Sequence, residues 1–230
     1  MNSTYAARVG GIQWRMVMAT ALAWLALACI GASPAHAAGP ARPAPAAQAR
    51  TVLVMGDSLS AGFGIAASQS WVALTGARMA KTNPGWRVVN ASISGETSAG
   101  GASRIDAELK RLHPQIVVIA LGANDGLRGL PLTQTKANLD RMIQASKAAK
   151  ARVLLIGMRM PPNYGRDYTT GFAANYTALA KLHDVPLVPF LLEPIMADRA
   201  NFQDDNLHPV AGAQPALRDH VWKTLGPMLK

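Results

Sequence analysis

The chain has 230 residues, 50% of them hydrophobic, with 23 Lys and Arg against 13 Asp and Glu and a formal net charge of +10. That length suits one domain around a single core and leaves no room for a second domain of ordinary size. The basic excess is scattered, without a basic run or interleaved aromatics. Nucleic-acid binding is therefore not expected, whereas a solubilising surface that permits transient contact with lipid surfaces is, and a monomer is the expected state.

At the N-terminus Arg8 and Arg15 precede an uncharged apolar run from Met16 to Ile30, and Ala35-His36-Ala37 follows. This is the layout of a secretory signal over residues 1–37, cut before Ala38, and it implies a periplasmic or secreted protein. The run is short for a bilayer span, which needs about 20 residues, so a retained anchor is the alternative. The single cysteine, Cys29, lies in this run, in a stretch that loosely resembles a lipoprotein processing site. As a discarded signal residue it leaves a mature chain with neither thiol nor disulfide; lipidation is the other reading. Residues 38–50 are rich in Pro and Ala with no apolar period, which reads as a flexible tether before a catalytic domain at 51–230.

Short apolar runs then alternate with amphipathic segments of helix length. Strands are expected over Thr51–Met55, Arg87–Ala91, Ile116–Leu121, Val153–Met158 and Leu187–Phe190, with helices over Trp71–Lys81, Gly101–Leu112, Thr133–Lys150 and Gly171–His183, and a last one within about Gly212–Leu229. Asn83-Pro84-Gly85 and His113-Pro114 punctuate the series. Alternation of this kind predicts an α/β fold, a parallel sheet covered by helices on both faces as a three-layer α/β/α sandwich. Sites in such sheets form beyond the carboxyl ends of the strands. Ser58 follows the first strand, Gly95 the second and Asn124 the third, which puts all three on one edge.

The motif after the first strand is Gly56-Asp57-Ser58-Leu59-Ser60, and near the C-terminus stands Asp205-Asn206-Leu207-His208-Pro209. A serine hydroxyl is a poor nucleophile until an imidazole takes its proton, and the imidazole is best held by a carboxylate. An Asp three residues before a His reaches back to Nδ1 within one turn; Asp204 is close enough to compete with Asp205. Asp57 reads as a brace for the turn that carries Ser58.

Two further blocks, Asn90-Ala91-Ser92-Ile93-Ser94-Gly95-Glu96-Thr97 and Gly122-Ala123-Asn124-Asp125-Gly126-Leu127-Arg128-Gly129, stand between these motifs. With all four in this order, the chain resembles the SGNH (GDSL-motif) hydrolases from about Thr51 to Lys230. Within them it looks most like the bacterial arylesterase and multifunctional acyl-CoA thioesterase I/lysophospholipase group. The resemblance implies a five-stranded sheet in the flavodoxin-like order 2-1-3-4-5, Ser58, Asp205 and His208 as catalytic residues, and an oxyanion hole from the Ser58 and Gly95 backbone N–H groups and the Asn124 side-chain amide. It also selects Asp205 over Asp204. Glu96 and Ala123 stand where relatives often carry Asp and Gly, which touches the fine geometry of the pocket and no reacting atom.

Met158 to Tyr168 resembles the mobile substrate loop of the thioesterase-I group, and makes Met160, Pro161, Asn163 and Tyr164 candidate substrate-binding residues for an acyl chain. Its aromatics could instead pack onto the domain, and Arg159 and Arg166 either meet an anionic substrate group or stay solvated. The implied activity is hydrolysis of small-molecule aryl or acyl esters and acyl thioesters, with lysophospholipids among the candidates. No Gly-x-Ser-x-Gly, His-Glu-x-x-His, Cys/His cluster or Walker-type loop occurs, so neither the α/β-hydrolase elbow nor a metal or nucleotide cofactor is expected. A carbohydrate or envelope O-acetyl esterase is the enzymatic alternative, and a non-catalytic envelope binding protein the other.

Overall fold

The computed structural model describes residues 49–230. The expected signal segment, Cys29 and nearly all of the tether fall outside them. The tether's last residue, Arg50, already belongs to β1 (Arg50–Gly56) and lies over the Trp86 ring, 4.3 Å from its centroid. Among the described residues no helix is long and apolar enough to cross a membrane.

Five parallel strands pair in the order β2-β1-β3-β4-β5, formed by β1, β2 (Trp86–Asn90), β3 (Ile116–Ala120), β4 (Arg152–Ile156) and β5 (Leu187–Val188). In β3 every side chain is buried, and in β1 and β4 all but the leading arginine. Strands covered on both faces need apolar residues at every position, which is why these three read as unbroken apolar runs. β5 is two residues shorter than the expected Leu187–Phe190, because Pro189 has no N–H to extend the ladder.

Helices α1 (Ser58–Ala61) and α2 (Trp71–Thr82) follow β1, α3 (Ser98–Leu112) follows β2, and α4 (Ala123–Leu127) and α5 (Leu132–Ala148) follow β3. Next come α6 (Arg166–His183) after β4 and α7 (Gln214–Leu225) after β5. α2 packs on α7, while α3 packs on α5 and α5 on α6. Right-handed crossovers that run outward to β2 and then back past β1 put these two groups on opposite faces of the sheet.

Two helices begin earlier than their periodicity suggests. α3 starts at Ser98 and not Gly101, because the Thr97 side chain caps it by accepting the Gly100 N–H at 3.3 Å. α6 starts at Arg166 and not Gly171, so Tyr168 belongs to a helix and not to the expected loop.

Candidate active site

At the carboxyl edge of the sheet β1 ends in Gly56 and the chain turns into α1, with Asp57 as its cap. The buried Asp57 carboxylate accepts the Leu59 N–H at 3.1 Å, which fixes Ser58 as the first helical residue. Burial pushes the Asp57 carboxyl up to about 7, opposed by its bond from the Leu59 N–H.

His208 Nε2 lies 2.8 Å from Ser58 Oγ, and His208 Nδ1 lies 2.6 Å from Asp205 Oδ2. The other oxygen of Asp205 accepts the backbone N–H groups of Leu207 at 2.9 Å and His208 at 3.0 Å. These bonds, with the imidazole contact, lower its carboxyl to about 2. An ionised carboxylate only accepts, so Nδ1 carries the hydrogen and Nε2 of the neutral ring faces the serine with its lone pair. Asn206 makes the reversal possible at φ +60°, a left-handed conformation that Asn tolerates better than most residues. The carboxylate that meets the imidazole is therefore that of Asp205; Asp204 is exposed.

Loops after β2 and β3 bring in the donors. Gly95 has φ +79°, where an L side chain is strained, and its Cα faces open space. Among the described residues neither the Ser58 nor the Gly95 N–H has an acceptor, and both residues line the same cleft as Asn124. Asn124 Nδ2 donates to Glu96 O at 3.0 Å, which leaves its second hydrogen available. Gly122, at φ +115°, lets the chain turn here over Tyr176; a Cβ at Gly122 would stand 2.2 Å from the Tyr176 hydroxyl, which donates to Leu121 O.

These loops are held by Arg104, which lies outside the motifs, and by Asp125 and Arg128 within the block after β3. Arg104 on α3 is paired with the Glu96 carboxylate and donates to Ala91 O at 2.6 Å, clamping both ends of the loop that carries Gly95. Arg128 donates to Gly95 O at 3.1 Å. Buried Asp125 accepts the N–H of Ser98 at 2.8 Å and its hydroxyl at 2.5 Å, tying the turn of Asn124 to the start of α3. Gln203 staples the segment after α1 to that around His208: its amide donates to Phe63 O at 2.8 Å and Pro209 O at 3.2 Å, while the Phe63 ring leans on His208 with centroids 4.5 Å apart.

A cleft of about 570 Å³ opens over Ser58, within the range for small-molecule sites. Of the four substrate-binding candidates, Met160 and Pro161 line it, and Asn163 and Tyr164 do not. Asn163 is exposed to solvent, and the Tyr164 hydroxyl is spent on Leu127 O at 2.9 Å, just as that of Tyr168 is spent on Leu130 O. A tyrosine whose ring is half-buried finds a partner for its hydroxyl, and here the last carbonyl of α4 and one in the α4–α5 connection supply it. Phe190, Leu192, Met196 and Phe202 form a wall that no motif announces. Its signal was positional, an apolar stretch beyond the carboxyl end of the fifth strand, the rule that located the other loops. Among the described residues no three His, Cys, Asp or Glu side chains gather as a metal site.

Residues 54–213 match the model of the GDSL-like lipase/acylhydrolase family. Esterase TesA of Pseudomonas aeruginosa is 49% identical over 80% of this chain and 91% of its own. Thioesterase 1/protease 1/lysophospholipase L1 of Escherichia coli K12 is 46% identical over 80% of this chain and 87% of its own. A crystal structure of TesA superposes with a TM-score of 0.76 at 48% identity, covering 78% of this chain and 99% of the other. The chain belongs to the GDSL-like lipase/acylhydrolase family and is an enzyme of that class.

Proposed function

We propose that the protein is an exported serine hydrolase that cleaves aryl and acyl carboxylic esters and acyl thioesters, lysophospholipids among them, through an acyl-enzyme on Ser58. The observation that carries this is the continuous hydrogen-bonded line from Ser58 Oγ through His208 to Asp205. The names of the relatives, esterase and thioesterase/lysophospholipase, support the substrate class.

In this reading Ser58 Oγ attacks the acyl carbonyl carbon while its proton passes to His208 Nε2, and Asp205 stabilises the imidazolium. Negative charge gathers on the former carbonyl oxygen, where the N–H groups of Ser58 and Gly95 and the free hydrogen of Asn124 meet it. Collapse breaks the bond to the alcohol or thiol, which leaves with the proton from Nε2. Water then attacks the acyl-enzyme with His208 as base, and release of the carboxylic acid restores the hydroxyl.

The segment before the fold is read as a leader over residues 1–37 and a tether over 38–50, with cleavage before Ala38 delivering the domain at 51–230 to the periplasm or medium. N-terminal sequencing of the exported protein tests that, with Ala38 expected first. The chemistry is tested by a fluorophosphonate probe, which should label wild type and not Ser58→Ala. A panel of p-nitrophenyl acetate, p-nitrophenyl octanoate, octanoyl-CoA and acetylated xylan tests the substrate. Hydrolysis confined to the xylan ester would replace this reading by a carbohydrate deacetylase.

A further inference from the structure

The cleft over Ser58 contains one permanently charged side chain, Arg159, and no carboxylate lines it. Arg159 follows β4 into the cleft wall, exposed, with its guanidinium 5.2 Å from the centroid of the buried Phe190 ring. Five other arginines of the domain are engaged: Arg104 with Glu96, Arg141 with Asp106, Arg78 and Arg218 with Asp219, and Arg128 with the Gly95 carbonyl. Among the described residues Arg159 has no ion-pair partner and donates no hydrogen bond to the protein. A guanidinium held over an aromatic face keeps its N–H groups available, and they suit the oxygens of a phosphate.

Its position along the sheet sets how far that phosphate stands from the reacting carbonyl. Ser58 follows β1 and Arg159 follows β4, two steps apart in the order β1-β3-β4. Adjacent strands are about 4.8 Å apart, so the two backbones are separated by roughly 10 Å across the edge. The guanidinium leans towards Phe190, which follows β5 on the far side of β4 from β1, so the gap stays open for a polar linker between carbonyl and anion. The apolar cleft around it, with Met160, Leu192 and Phe202, suits the acyl part and offers the phosphate no other cation.

We propose that Arg159 is a specificity residue that binds a phosphate ester carried by the leaving group, so that the enzyme prefers substrates whose alcohol or thiol bears phosphate. The inference rests on the hydrolase reading above. Two kinds of leaving group share that chemistry, a glycerophosphate and a phosphate-bearing thiol such as coenzyme A.

The experiment uses purified processed enzyme, wild type, Arg159→Gln and Arg159→Lys, on two matched substrate pairs below their micelle-forming concentrations. One pair is 1-octanoylglycerol and octanoyl lysophosphatidylglycerol; the other is the octanoyl thioester of N-acetylcysteamine and octanoyl-CoA. Arg159→Gln is expected to raise KM about five- to tenfold on the phosphate-bearing member of at least one pair, with kcat nearly unchanged and the neutral member unaffected. Arg159→Lys should recover part of the loss, and added salt should shrink the difference between wild type and Arg159→Gln. The pair that shows the loss identifies the source of the phosphate. Equal KM changes on both members of each pair, or no change on either, overturn the proposal while leaving the hydrolase reading intact. Failure of wild type to cleave any of the four overturns both.

Discussion

Ser58 and His208 meet at 2.8 Å, yet the two sides of that contact are built differently. On the serine side the chain leaves a strand buried in all but its leading arginine, and the neighbouring carboxylate of Asp57 is itself buried. On the histidine side Asp204, Asp205, Asn206 and Leu207 are all exposed, and the loop is held by local bonds and by Gln203. A side chain set by core packing inherits the rigidity of the sheet. One on an exposed loop must be oriented by hydrogen bonds, each of which one substitution removes. Damage to the site should therefore divide by side: core-side changes alter folding and chemistry together, and loop-side changes alter chemistry first.

The largest expected effects come from the two side chains at the contact itself, which support neither side and so stand apart from that division. Ser58→Ala and His208→Ala should each lower kcat by about 10⁴-fold or more while the thermal midpoint stays close to wild type, since neither hydroxyl nor ring carries the core. A His208→Ala enzyme with near-normal kcat would remove the triad. Asp205→Ala comes next, with a loss of about 10³-fold or more in kcat and unchanged KM, because the imidazole then loses the partner that fixes its tautomer. Asn124→Ala should cost about 10²- to 10³-fold in kcat, again with KM little changed, as expected for a donor that acts on the charge of the tetrahedral state.

Smaller effects probe the supports. Gln203→Ala should lower kcat several-fold and sharpen proteolytic cutting of the 203–208 loop, read by limited digestion, with the remainder of the domain intact. For Asp57 the test is stability against pH. Its carboxyl stands near 7 in the fold and at the ordinary value of 3.8 when unfolded, so within that window the folded protein holds a proton that the unfolded chain has released. Its contribution to stability is full below about pH 4 and is lost as pH rises through about 7; Asp57→Asn should flatten the denaturation midpoint over that range. The lowered carboxyl of Asp205 acts only below that window, as pH falls from 3.8 through about 2, so the two do not overlap.

Much of the fold and part of the site are legible in the amino-acid sequence alone. β1, β3 and β4 announced themselves because both their faces are buried, and the rule that loops beyond strand ends make the site brought Ser58, Gly95 and Asn124 to one edge. Asp-x-x-His carried its own local geometry, through an Asn that accepts a left-handed turn. Tyr164 and Tyr168 were harder to read, since an aromatic beside a cleft looks the same in sequence whether it faces substrate or satisfies a carbonyl such as Leu127 O. The Phe190–Phe202 wall was illegible for a related reason: apolar residues in an irregular segment have no period, and only the sheet behind them says which way they face. The clamp of Arg104 on Ala91 and Glu96 joins a helix to a loop, which no spacing along the chain encodes.

The contact between Ser58 and His208 joins residues 150 positions apart. Ser58 stands among the first elements of the domain and His208 just before α7, so in the proposed mechanism the hydroxyl and its base belong to opposite ends of the fold. Turnover of a chromogenic ester is then expected to report that closure: forms clipped between Ser58 and His208 should stay chemically silent.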